Sequence, residues 1–448
     1  MKVIHIPFCF HPDPVGGTEV YVESLARQLQ QLGLDAVIAA TGPTNASYTY
    51  NGLCVRRFQV SAGDLRQFYD EGDPHAAAEF DKIIEEEKPD LIHVHAFTRG
   101  VSVRLVRVAK QRGLPVVFTY HTPTASCQRG TLMRWGTQIC DGKLDVRRCT
   151  SCTLHKLGVP RSAAVLLGSL PPRLGRQLGK YHLSGGVWTA LRMTELIELH
   201  HASFRALMVE VDHVVAVCGW VRDVLILNNV PAEKITLCRH GIRLPAPEAV
   251  ASAPESDAGR DGGLRIAFVG RFDPTKGIHV LVEALRRAPT LNVRLDIYAI
   301  VQSRSNERYR AKILALAASD PRIHFHNPLQ SHKVVPTLRG HDVLAVPSQW
   351  LETGPLVVLE AFAAGIPVIG WNLGGLAETV RPGVDGVLID PPDVAGWTRT
   401  FEQLATDRAL LERLRKGVRP PRSMTHVAEE TLKLYDAMTR RIPVPQVA

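Results

Sequence analysis

Apolar residues recur along this chain in two alternating rhythms. Residues 2–10 (KVIHIPFCF) form a near-continuous apolar run, as expected of a strand covered on both faces. A turn rich in Pro and Gly follows. Then 18–32 places Val22, Leu25, Leu29 and Leu32 at helical spacing, with Gly33 as the stop. The alternation continues through DAVIAAT, a helix over 80–87, the strand DLIHVHA, a helix over 101–112 and the strand PVVFTYH. From 123 to 210 the rhythm breaks, and the pattern predicts one long helix near 188–209 before HVVAVC at 213–218 restores it. Residues 245–263, built of Ala, Pro, Ser, Gly and acids without periodicity, read as a linker. A second series then runs LRIAFVG, VRLDIYAI, RIHFHN, VLAVPS, PVIGW and GVLID, with helices between, and an amphipathic helix is expected over 424–440.

Strand–helix alternation of this kind predicts an α/β fold with two doubly wound, Rossmann-like domains whose strand C-termini face a common cleft. The expected division is 1–245, carrying an insert at 123–210, then a linker at 246–263, a second domain at 264–420, and a terminal helix within 421–448 that returns to the first domain. Length agrees, since 448 residues exceed what one hydrophobic core organises. A composition of 45% hydrophobic and 22% charged residues excludes a mostly disordered chain. The longest apolar stretch, 355–371, is broken by Glu360, Gly365 and Pro367, so no transmembrane helix is expected. The N-terminus lacks the apolar core and cleavage site of a secretory signal. A cytoplasmic protein is therefore expected, its cysteines reduced or metal-bound.

Three segments at strand ends carry candidate chemistry. Gly16-Gly17-Thr18-Glu19 joins the first strand to its helix; paired glycines let backbone approach a ligand, and the helix N-terminus offers free N–H groups to an anion. A tight turn is the competing reading. Gly270-Arg271-Phe272-Asp273-Pro274-Thr275-Lys276-Gly277 holds the same place in the second half, where Arg271 and Lys276 can converge on one diphosphate. The segment from Pro347 to Val368 (PSQWLETGPLVVLEAFAAGIPV) offers Glu352 before a helix and Glu360 within it. Leu356 and Val357 present the helix N-terminus, another seat for an anion. Glu360 lies in apolar company, where an unpartnered carboxylate is costly.

Together GGTE, GRFDPTKG and E-TGPLVVL-E resemble glycosyltransferase family 4, retaining enzymes of the GT-B fold. The resemblance covers most of the chain and is weakest over 123–210. It implies that Gly16 and Gly17 approach the diphosphate of a nucleotide-sugar donor, that Arg271 and Lys276 neutralise it as it leaves, and that Gly354, Leu356 and Val357 lie in the donor site. It further implies that Glu360 holds ribose hydroxyls, that Glu352 holds hydroxyls of the transferred sugar, and that His121 stands beside that sugar. By the same likeness no cofactor is required for catalysis, and the function is hexosyl transfer to a hydroxyl of a glycan or lipid-linked acceptor in cell-surface polysaccharide or glycolipid synthesis. A sugar-nucleotide 2-epimerase on the same plan and a non-catalytic sugar-nucleotide-binding or assembly protein are the alternatives. His93 and His95 read as packing or cleft-edge residues.

Cys127, Cys140, Cys149 and Cys152 follow His121 closely and end in C-x2-C, a spacing that suits a structural tetrahedral zinc; unrelated thiols or a redox pair are the competing readings. The formal charge of +9 is uneven: residues 99–180 hold 15 Lys and Arg against two acids. A basic, apolar stretch at 161–180 suggests contact with an anionic membrane, peripherally on its inner face, with a solvated basic face as the plainer reading. Nucleic acid is not expected, because aromatics are only 6% and no recognition motif is present.

Overall fold

The computed structural model describes residues 1–13, 15–181, 185–244, 263–318 and 320–440. The expected linker lies almost entirely outside the described residues. The chain divides into two compact units, one of Met1–Arg239 with the C-terminal segment from Val427, the other of His240–His426.

In the first unit eight strands form one sheet in the order β10-β9-β6-β5-β1-β2-β4-β3. The strands are β1 (Lys2–Ile6), β2 (Asp35–Gly42), β3 (Ala46–Tyr50), β4 (Leu53–Gln59), β5 (Leu91–Val94), β6 (Val116–Tyr120), β9 (His213–Ala216) and β10 (Ile235–Leu237). All neighbours are parallel except β3 with β4. Val3, Ile4 and Ile6 of β1 are fully buried between the flanking strands and the helices on both faces, which explains why that strand reads as continuously apolar. The strand stops at Ile6, where Pro7 can no longer donate to the ladder.

The insert is mostly helical. Beyond the small hairpin of β7 (Met133–Arg134) and β8 (Gln138–Ile139), it holds helices at Val146–Lys156, Arg161–Gly168, Pro172–Gly179 and Gly186–Glu210. The first, second and fourth of these share a separate core of Leu154, Ala164, Met193, Leu196 and Ile197. The C-terminal helix Met424–Arg440 buries Val427, Ala428, Leu434, Tyr435 and Ala437. None of the described helices is long and apolar enough to cross a membrane.

The second unit is a six-stranded parallel sheet in the order β13-β12-β11-β14-β15-β16. Its strands are β11 (Leu264–Arg271), β12 (Val293–Ile300), β13 (Ile323–His326), β14 (Val343–Val346), β15 (Val368–Trp371) and β16 (Gly386–Ile389). Counted within the unit this is the order 3-2-1-4-5-6 of a Rossmann sheet. The order reverses between β11 and β14, and the Arg271–Lys276 and Ser348–Glu352 loops both leave from the C-terminal ends of those two strands.

Candidate active site

In the second unit the loops after β11 and β14 are fastened to each other by backbone. Asp273 accepts from the Thr275 N–H at 2.9 Å and forms a one-turn cap, and Gly277 follows with φ of +74°. A Cβ at Gly277 would fall 2.0 Å from the Pro347 carbonyl oxygen, so only glycine permits this approach. The Gln349 N–H then donates to the Thr275 carbonyl at 2.7 Å.

The result is a cation–carboxylate cluster. Lys276 Nζ lies 2.6 Å from Glu352 Oε1 and 5.4 Å above the Trp350 ring. Ser348 Oγ and Trp350 Nε1 donate to the same carboxylate oxygen. Burial alone would push the Glu352 carboxyl up, but the Lys276 ammonium and these donors outweigh it and hold the group below its ordinary value. Its backbone is held as well, since the Gly375 N–H donates to the Glu352 carbonyl at 2.6 Å. Side chains at Gly374 or Gly375 would collide with residues 351–353. This Gly-Gly pair follows PVIGW in the sequence and marks the close approach, although sequence reasoning passed over it.

Gly354 sits against His240, whose Nδ1–H donates to the Gly354 carbonyl at 3.0 Å. Burial keeps that imidazole neutral by lowering its pKa to about 4. The helix Leu356–Ala364 starts immediately after Pro355 with no side-chain cap, so the N–H groups of Leu356 and Val357 begin it as anticipated. Glu360 lies one turn further on, half-buried, and desolvation pushes its carboxyl up to about 7. Arg271 is half-buried and donates to Gln302 at 3.3 Å. Thus Lys276 and Glu352 gather with Ser348 and Trp350, while Arg271 ends β11 and Glu360 lies within the helix Leu356–Ala364.

The first unit carries the remaining expected residues. The Gly16 N–H donates to Glu19 Oε2 at 2.9 Å, closing the turn before the helix Gly17–Gln31, and a Cβ at Gly17 would meet open space. His121 is buried at the end of β6 and hydrogen-bonded to His95, which is bonded in turn to His5, each at 3.0 Å. His93 joins Tyr435 and Thr119. The ligand atoms of His5, His93 and His95 lie within 4.8 Å of one another. Of their six ring nitrogens only His5 Nε2 is without a partner among the described residues, so the set is a hydrogen-bond chain more than a metal cage. His93 and His95 do pack; His95 also links His5 to His121, whereas His93 bonds Tyr435 and Thr119 beside that chain.

The basic segment is less exposed in charge than its count suggests. Arg104, Arg107, Lys110, Arg112, Arg148 and Arg176 are each paired with a carboxylate. The four insert cysteines line a single cavity.

Residues 16–241 match the family "Glycosyl transferase 4-like domain", and residues 254–419 match "Glycosyl transferases group 1". The chain is similar to a D-inositol 3-phosphate glycosyltransferase of Frankia alni, with 27% identity over 427 residues that span 90% of this chain and 89% of that one. It is similar also to the Nocardia farcinica protein of the same name, at 30% identity over 302 residues, which are 64% of this chain and 60% of the relative. Among solved structures, Anabaena HepE in complex with UDP and glucose shares the fold with a TM-score of 0.62 at 16% identity, over 98% of this chain and all of that one.

Proposed function

Because the chain belongs to the group 1 glycosyltransferases (family 4, GT-B fold), we propose that it moves a hexose from a nucleoside-diphosphate sugar, with retention, to a hydroxyl of a glycan or lipid-linked acceptor. The observation that carries this reading is the Lys276–Glu352 pair with its Ser348 and Trp350 donors, set beside an uncapped helix N-terminus. Breaking the anomeric carbon–oxygen bond builds negative charge on the leaving diphosphate. Arg271, Lys276 and the N–H groups of Leu356 and Val357 are preorganised cations and dipoles for that charge. Glu352, fully ionised at neutral pH, accepts from sugar hydroxyls; Glu360 accepts from the ribose. Gly16 and Gly17 serve the diphosphate through backbone, and His121 stands near the sugar.

A phosphorylated polyol acceptor is the second reading, favoured by the names of the relatives. The apolar residues Val165 and Leu166, 51% and 71% exposed on the helix Arg161–Gly168, support peripheral docking of the insert on an anionic bilayer. Liposome flotation tests that part, and absence of binding at low salt rejects it.

Thermal-shift screening against UDP-, GDP-, ADP- and dTDP-sugars tests donor binding. A matching donor at a hundred times its Kd stabilises the fold by about 2.7 kcal/mol. Lys276→Ala is expected to lower transfer by roughly a hundredfold or more with the fold intact. Wild-type rates in that variant would refute the site. Turnover of the donor without any acceptor would favour an epimerase.

A further inference from the structure

We propose that Cys127, Cys140, Cys149 and Cys152 bind one structural zinc ion, which fastens the insert to the end of β6. The inference is independent of glycosyl transfer. Its basis is that four cysteines from two different local structures line one cavity. Cys127 and Cys140 flank the hairpin of β7 and β8, and the Cys140 N–H donates to the Leu132 carbonyl at 2.9 Å across it. Cys149 and Cys152 belong to the first two turns of the helix Val146–Lys156. A hairpin and a helix start that each supply two thiols make up a complete tetrahedral set.

Two further observations point to a ligand there. The Trp135 N–H donates to Cys152 Sγ at 3.4 Å, the outer hydrogen bond that ligating sulfurs ordinarily receive. Arg129, Arg134 and Lys143 line the same cavity, and their charge offsets the two negative charges a zinc–tetrathiolate carries. Little else holds this part of the chain. Its strands are two residues each, and its buried apolar residues are Leu132 and Met133. A metal crosslink supplies what such a core cannot.

The sulfurs have some distance to close. Zinc–sulfur bonds of about 2.3 Å place tetrahedral thiolates about 3.8 Å apart. No three of these sulfurs lie within 4.8 Å of one another in this arrangement. Binding therefore draws the hairpin towards the helix. That motion pulls on well-anchored ends: Tyr120 to Ser126 at 2.7 Å, and Leu144 and Gly142 to Asn228 at 2.9 and 3.0 Å. The metal thus braces the segment that leaves β6 directly after His121.

Elemental analysis of the full-length protein, purified under reducing conditions from zinc-supplemented cells, is expected to give about one zinc per chain. The four thiols should resist a thiol reagent until a chelator strips the metal. Replacement by Co(II) should give the visible absorption of tetrahedral thiolate coordination. Cys149→Ser should lose the metal and melt at lower temperature, whereas Lys276→Ala should keep it. Should Cys149→Ser fail to fold, the Co(II) spectrum of the wild-type protein decides. Metal below about a tenth of an ion per chain with freely titrating thiols, or a stable Cys149–Cys152 disulfide, would overturn the assignment.

Discussion

Glu352 and Glu360 belong to one short segment, yet their surroundings drive their carboxyls in opposite directions. Lys276 keeps the first ionised, and desolvation raises the second to about 7. The signs lead to different pH windows. The stability that Glu352 derives from its partners is present above the ordinary carboxyl value and is lost only as pH falls below it. Glu360 is penalised as it ionises, so the free fold loses stability as pH rises from its ordinary value of 4.5 towards 7. If the ribose hydroxyls need a carboxylate, donor affinity should rise about tenfold between pH 6 and pH 8, and Glu360→Gln should bind weakly with a flat profile. Calorimetric titration of donor at both pH values checks this; a flat wild-type profile would remove Glu360 from the ribose site. In the sequence Glu360 stands out because a carboxylate in apolar company needs a reason, and Glu352 because it lies in the loop just before that helix. The partners of His121 do not stand out. His5 and His95 come from different strands, and only the parallel register of β1, β5 and β6 aligns them. Within that chain His5 Nε2 is the nitrogen without a partner among the described residues.

At the scale of elements, strands buried on both faces are the readable part. All six strands of the second unit fall where the apolar runs place them. The antiparallel pair β3–β4 was missed, although Asn51-Gly52 joins them with φ of +48° and +82°, the turn chemistry of a tight hairpin. The alternation in ASYTY is mostly polar, because β3 is an edge strand with little buried surface, so periodicity gave no signal. The short helices of the insert were missed for a related reason. They bury one face against the helix Gly186–Glu210, a partner distant in sequence. The loop between β11 and its helix depends on a single backbone feature. Gly277→Ala forces a positive φ on alanine and drives Cβ into the Pro347 carbonyl, and should cost ~2–4 kcal/mol. Denaturant unfolding measures that cost, and a matching fall in kcat would show that Lys276 has moved with the loop.

For the whole molecule, the helix Met424–Arg440 matters most. From Val427 it belongs to the first unit, and Tyr435 is fully buried there with its hydroxyl on His93 Nδ1. Tyr435→Phe keeps the ring but leaves His93 unsatisfied, and should destabilise by ~1–2 kcal/mol in thermal melts. An unchanged melting temperature would mean that the hydroxyl contributes nothing. The same helix bears on the order of events during synthesis. The second unit is one unbroken stretch of chain, His240–His426, whereas the first is assembled from two pieces that the second separates. The residues before His240 must therefore wait for those from Val427 onward before their fold is complete, and the unit translated in between can mature ahead of them. Through that interval the pocket over His5 and His93 lacks its Tyr435 cover, and stalled nascent chains that stop short of Val427 are expected to show this half, and not the other, as protease-sensitive.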